Sequence, residues 1–74
     1  MGNLLNLDVS ELEAPQPLEN ILETLKLLDS DSKLKVLHRI EPKGLYPYLK
    51  DKYNYQVTIT PSGKFEITIW HKNV

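Results

Sequence analysis

The chain has 74 residues, of which 41% are apolar and 26% charged, with a net charge of −1 and no cysteine. These values describe a single small globular domain over 1–74, close to the lower size limit for folding without metal or disulfide staples. They exclude a disulfide scaffold, an iron–sulfur site, a cysteine nucleophile and a thiolate zinc site, and a total of two histidines excludes an all-histidine metal cage.

The first predicted element is a strand over residues 4–9, with Leu5, Leu7 and Val9 on one face and Asn6 and Asp8 on the other. A loop over 10–14 leads to Pro15-Gln16-Pro17, which opens a helix, because N–H groups in a first turn lack intrahelical partners anyway. Leu18, Ile21, Leu22, Leu25 and Leu28 form its apolar stripe. A second strand spans 33–40, where Leu34, Val36, His38 and Ile40 alternate with Lys35, Leu37 and Arg39. Glu41-Pro42-Lys43-Gly44 breaks the chain, and a short helix follows from Leu45 to about Tyr53. Tyr55, Val57 and Ile59 alternate in a third strand, and Phe65, Ile67 and Ile69 in a fourth. Pro61-Ser62-Gly63-Lys64 joins these two as a hairpin. The order β-α-β-α-β-β predicts a two-layer α/β sandwich with both helices on one sheet face. Its expected core is Leu18, Ile21, Leu22, Leu25, Val36, Leu49, Val57, Ile59, Ile67 and Ile69.

Charge divides along the chain. Residues 1–32 carry seven acids and one lysine, whereas residues 33–74 carry eight bases and three acids. The bases are spaced singly and Arg39 is the sole arginine, so solvated faces are expected and no nucleic-acid partner. No secretory signal and no apolar run of membrane-spanning length occurs. The expectation is a cytoplasmic protein with no membrane partner, most simply a monomer. Met1-Gly2 opens like a myristoylation site, but Asn6 lacks the required hydroxyl.

The Leu7-Asp8-Val9 strand, the Ala14-Pro15-Gln16-Pro17-Leu18 helix opening and the element order resemble the TusA/SirA-like sulfur-carrier fold. A closer similarity is to a TusA-related family of uncharacterised small bacterial domains. It is carried by the Pro-x-Pro-Leu-Glu start at residues 15–19, the turn at 39–42 and the Leu-Tyr-Pro-x-Leu helix at 45–49. The resemblance implies a mixed four-stranded sheet of order 1-2-4-3 with strand 4 antiparallel. It also implies association with hemerythrin-like domains and with respiratory or nitrogen-oxide metabolism, and no established activity. Sulfur carriers place a cysteine directly before Pro-x-Pro, where a helix N-terminus lowers its pKa. Ala14 stands there in this chain, so persulfide relay is chemically excluded.

In open α/β sheets, ligands gather beyond the carboxyl ends of parallel strands. Those ends predict one candidate ligand cluster: Ala14, Pro15 and Pro17 from the first loop, and His38, Arg39, Glu41, Lys43 and Tyr46 from the second. The ligand expected there is a small anion, attracted to free N–H groups at the helix start, or a peptide of a protein partner. His38 is either a strand-end histidine bonded to a backbone carbonyl, or a ligand-binding or proton-transfer group, or a metal ligand. Arg39 either forms a salt bridge to Glu41 or a surface acid, or captures the anion. Tyr46 and Tyr48 either pack amphipathically or take part in the site. Leu37 and Trp70, on strands that the family order makes neighbours on the open face, either form a candidate interaction patch or are simply covered by the Lys35 and Lys72 stems. No catalytic triad, carboxylate pair, phosphate loop or metal set can be assembled. The expected function is a non-catalytic binding or adaptor module of redox metabolism without a cofactor. The alternatives are an enzyme-like, acid/base or cofactor-handling role centred on His38, and a sulfur-metabolism accessory protein.

Overall fold

The computed structural model describes residues 2–72. The elements follow as β1 (Leu4–Asp8), α1 (Gln16–Leu25), β2 (Lys33–His38), a 3₁₀ turn (Lys43–Leu45) running into α2 (Tyr46–Leu49), β3 (Tyr53–Ile59) and β4 (Phe65–His71). The sheet order is β1-β2-β4-β3. β1 runs parallel to β2, and β4 runs antiparallel to both β2 and β3. This is the two-layer architecture that the alternating segments predict, with the mixed sheet order that the family resemblance implies.

Pairing explains the two faces. Leu34 lies opposite Ile69, Val36 opposite Ile67 and His38 opposite Phe65, so one row after another turns apolar groups toward the helices. Lys33, Lys35 and Leu37 stand between them on the other face, against Trp70, Thr68 and Glu66. Val9, Ile21, Leu25, Leu28, Leu34, Val36, Leu45, Leu49, Ile67 and Ile69 form the core, each at most 6% exposed. Leu18, Leu22 and Val57 pack against this core only in part.

Four expectations need correction. The buried stripe of α1 is Pro17, Ile21 and Leu25, so the helix is rotated and Leu18 and Leu22 lie on its flank. The helix also ends before Leu28. Lys26, Leu27 and Leu28 donate to Glu23, Thr24 and Leu25, which are i−3 carbonyls that tighten the last turn. Ile59 is 68% exposed, because α2 spans four residues and is too short to cover the far end of β3. Tyr53 opens β3 instead of closing α2.

The hairpin turn depends on Gly63. Its φ of +88° lies in the left-handed region, and its N–H donates to the Thr60 carbonyl at 2.9 Å. Gly63→Ala is expected to lower stability by more than about 1 kcal/mol in urea denaturation, although nothing crowds the added Cβ.

Candidate functional site

The loop after β1 is held from within. The Val9 N–H reaches the Leu37 carbonyl at 2.9 Å and so extends the parallel ladder past β1. The Asp8 carboxylate then accepts from both the Ser10 hydroxyl (2.6 Å) and the Ser10 N–H (2.9 Å), which lower its pKa. The chain turns outward, passes a cis Ala14–Pro15 peptide and enters α1.

A cleft of about 270 Å³ opens where α1 meets the end of β2. Leu12, Ala14, Pro15, Pro17, Leu18 and Ile21 form one wall. His38, Arg39, Ile40, Pro42, Gly44 and Leu45 form the other. Leu12, Leu18, Ile21, Ile40 and Leu45 make it far more apolar than the sequence predicts. In the sequence Ile21 reads as core and Gly44 as a turn residue, and Leu12, Ile40 and Pro42 carry no polar group that marks a site. The signal for them was position alone, at the ends of the elements that flank the cleft.

The helix start is a weaker anion trap than expected. The Gln16 N–H donates to the Glu13 carbonyl, the Glu19 N–H donates to the Pro15 carbonyl, and Pro15 and Pro17 have no N–H. Leu18 keeps the first-turn amide with no backbone partner among the described residues.

His38 is 7% exposed and lines the cleft. Its Nδ1 accepts the Ile40 N–H at 3.2 Å. The carbonyl partner expected for a structural histidine is thus replaced by an N–H donor, and the ring proton must sit on Nε2. No hydrogen-bond partner for Nε2 exists among the described residues, and no buried polar side-chain atom there is left unsatisfied, so Nε2 keeps contact with solvent. Burial and the adjacent Arg39 guanidinium push the His38 pKa below 6.5. A depressed histidine pKa means that the unfolded chain binds the proton more readily. Stability from this group is therefore complete above about pH 6.5 and is lost as pH falls through the folded value. Urea midpoints measured from pH 7.5 down to 5 should fall in the wild type. In His38→Gln this part of the decline should vanish.

Arg39 is exposed and forms no ion pair among the described residues, so the expected bridge to Glu41 is absent. Glu41 instead accepts the Tyr46 hydroxyl at 3.0 Å. Burial, reinforced by that hydrogen bond, raises the Tyr46 pKa to about 12. Tyr46 stacks on Tyr55 with ring centres 4.8 Å apart. Tyr46 and Lys43 line a separate open hollow of about 650 Å³, together with Pro47, Lys50, Tyr53 and Lys72. The single cluster read from the sequence is thus two places. Ala14, Pro15, Pro17, His38 and Arg39 meet in the cleft, Lys43 and Tyr46 face the other hollow, and Glu41 lines neither. Tyr48 is 59% exposed.

The open-face patch does not assemble. Trp70 pairs with Lys33 and Leu37 with Glu66, four positions apart along the same two strands. Lys33 lies over the Trp70 ring at 5.0 Å, where Lys72 was expected, and Lys35 bridges Glu66 at 3.8 Å. An exposed pair of this kind contributes about 0–1 kcal/mol.

Residues 6–71 match the family described as uncharacterized conserved protein (DUF2249). The chain belongs to the DUF2249 family. No curated protein and no solved structure matches it. Within this DUF2249 domain, Ala14 lies on the rim of the cleft and brings no group that holds sulfur. Incubation with a desulfurase and a persulfide donor should leave its intact mass unchanged, and a reducible gain of one sulfur would contradict this. No helix among the described residues is long and apolar enough to cross a membrane, and no group of three His, Asp or Glu side chains there is arranged to hold a metal ion.

Proposed function

We propose that this DUF2249 domain is a non-catalytic binding module of redox or respiratory metabolism, whose cleft takes a small amphipathic carboxylate. The carrying observation is an apolar cleft lined by His38 and Arg39, whose Nε2–H and guanidinium have no hydrogen-bond partner among the described residues. An aliphatic body fits against Leu12, Leu18 and Ile40, and the carboxylate meets the donors. A small inorganic anion would leave those walls without a partner. The metabolic setting rests on the resemblance to TusA-related domains associated with hemerythrin-like or respiratory proteins. General-base chemistry at His38 is disfavoured, because the lone pair on Nδ1 is occupied by the Ile40 N–H.

Hexanoate serves as the test ligand and inorganic phosphate as the comparison. Hexanoate should raise the unfolding midpoint in a concentration-dependent way and phosphate should not. Arg39→Ala removes a charge-assisted bond of about 1.5–3 kcal/mol and should weaken hexanoate binding about 10–100-fold. Equal effects of the two anions, no effect of either, or undiminished binding to Arg39→Ala would overturn the reading.

A further inference from the structure

The β3 edge of the sheet carries a feature that the cleft does not use. Sheet edges are normally protected by charge, proline, bulges or short length. β3 has none of these. Tyr53-Asn54-Tyr55-Gln56-Val57-Thr58-Ile59 contains no charged residue and no proline, and it pairs with β4 over all seven residues without a bulge. The other edge, β1, is five residues long and ends in Asp8.

Hydrogen-bond alternation shows which groups point outward. The Thr60 N–H donates to the Lys64 carbonyl and the Lys72 N–H to the Lys52 carbonyl, so even-numbered residues of this segment bond inward to β4. Tyr53, Tyr55, Val57 and Ile59 therefore direct their N–H and C=O groups away from the sheet. No loop or helix among the described residues hydrogen-bonds that edge. The side chains of the same four residues lie on the helix face, where Ile59 is 68% and Tyr55 39% exposed.

We infer that β3 pairs with β3 of a second copy of this chain, antiparallel across a two-fold axis at Gln56, to make a continuous eight-stranded sheet. One register satisfies every outward group. Tyr53 meets Ile59 and Tyr55 meets Val57 in hydrogen-bonded pairs, and symmetry repeats both. Each exposed Ile59 then gains an aromatic neighbour in Tyr53 of the other copy, a favourable cross-strand pair. Charge supports a like partner. In this register Lys52 falls opposite Thr60, Asp51 opposite Pro61 and Lys50 opposite Ser62, so no like charges meet. Such a dimer departs from the monomer that the sequence suggests.

The absence of cysteine makes the register directly measurable. Gln56→Cys places two thiols in a directly opposed, non-hydrogen-bonded pair with Cα atoms about 4.5 Å apart, within disulfide reach. Thr58→Cys is an equally open-face control, but its two copies lie four residues apart, about 13 Å, which is too far. Mild oxidation should convert Gln56→Cys to a covalent dimer and leave Thr58→Cys largely uncoupled. In light scattering the wild type should approach twice the 8.6 kDa chain mass with rising concentration. Gln56→Lys, which sets two like charges face to face, should return it to one chain mass with its circular dichroism unchanged. A wild type that stays at one chain mass at millimolar concentration overturns the inference. So does equal coupling of both cysteine variants, or a dimer untouched by Gln56→Lys. Higher oligomers that grow with concentration would indicate open-ended edge pairing and would overturn it too.

Discussion

Ile21→Ala should cost about 2–5 kcal/mol, the range for deleting a buried aliphatic side chain together with the cavity it leaves. Ile21 is fully buried, and it stands between the sheet and the floor of the cleft. Small domains hold about 5–15 kcal/mol in total, so this one change removes a large share of the stability. Leu22→Ala, one position along the helix, should cost about 1 kcal/mol, because Leu22 only flanks the core. Urea denaturation reads both as midpoint shifts at constant slope. A larger cost at Leu22 than at Ile21 would mean that α1 is turned the other way.

Gly44→Phe should abolish hexanoate binding while leaving stability within about 0.5 kcal/mol of the wild type. Gly44 lines the cleft, and a Cβ built there meets nothing within 4 Å. Its φ is not positive, so a side chain adds no backbone strain at this position. A benzyl group entering the cleft occupies the space meant for the aliphatic body of the ligand. Binding that survives in a folded Gly44→Phe variant would place the ligand elsewhere. Calorimetric titration alongside urea denaturation gives both quantities.

The strands and the hairpin were legible in the sequence because period-two alternation carries their facing directly. Leu34, Val36, Ile67 and Ile69 all fall on the expected side. The rotation of α1 was not legible. Five apolar residues, with Pro17 beside them, make a stripe wide enough for the helix to lean either way, and only contact with the sheet selects Pro17, Ile21 and Leu25. Ile59 follows the same alternation as Val57, yet its burial depends on the length of a helix elsewhere in the chain. The cleft was half legible. The strand-end rule located Ala14, Pro15, Pro17, His38 and Arg39, since it needs only the element order. It misplaced Lys43 and Tyr46 because the 3₁₀ turn and the Tyr46–Glu41 hydrogen bond direct them to the other hollow, which no spacing reveals. The apolar character of the cleft came from residues that also read as core, so polarity alone pointed to the wrong ligand class.

The most direct test of the account is to follow backbone amide shifts while hexanoate is titrated into the folded domain. Shifts should concentrate in residues 12–18 and 38–45, on the two walls of the cleft, with the His38 ring Nε2–H moving with them. Shifts centred on Lys50, Tyr55 and Lys72, or on Thr68 and Trp70 of the open face, would contradict it. So would the absence of any shift at millimolar ligand.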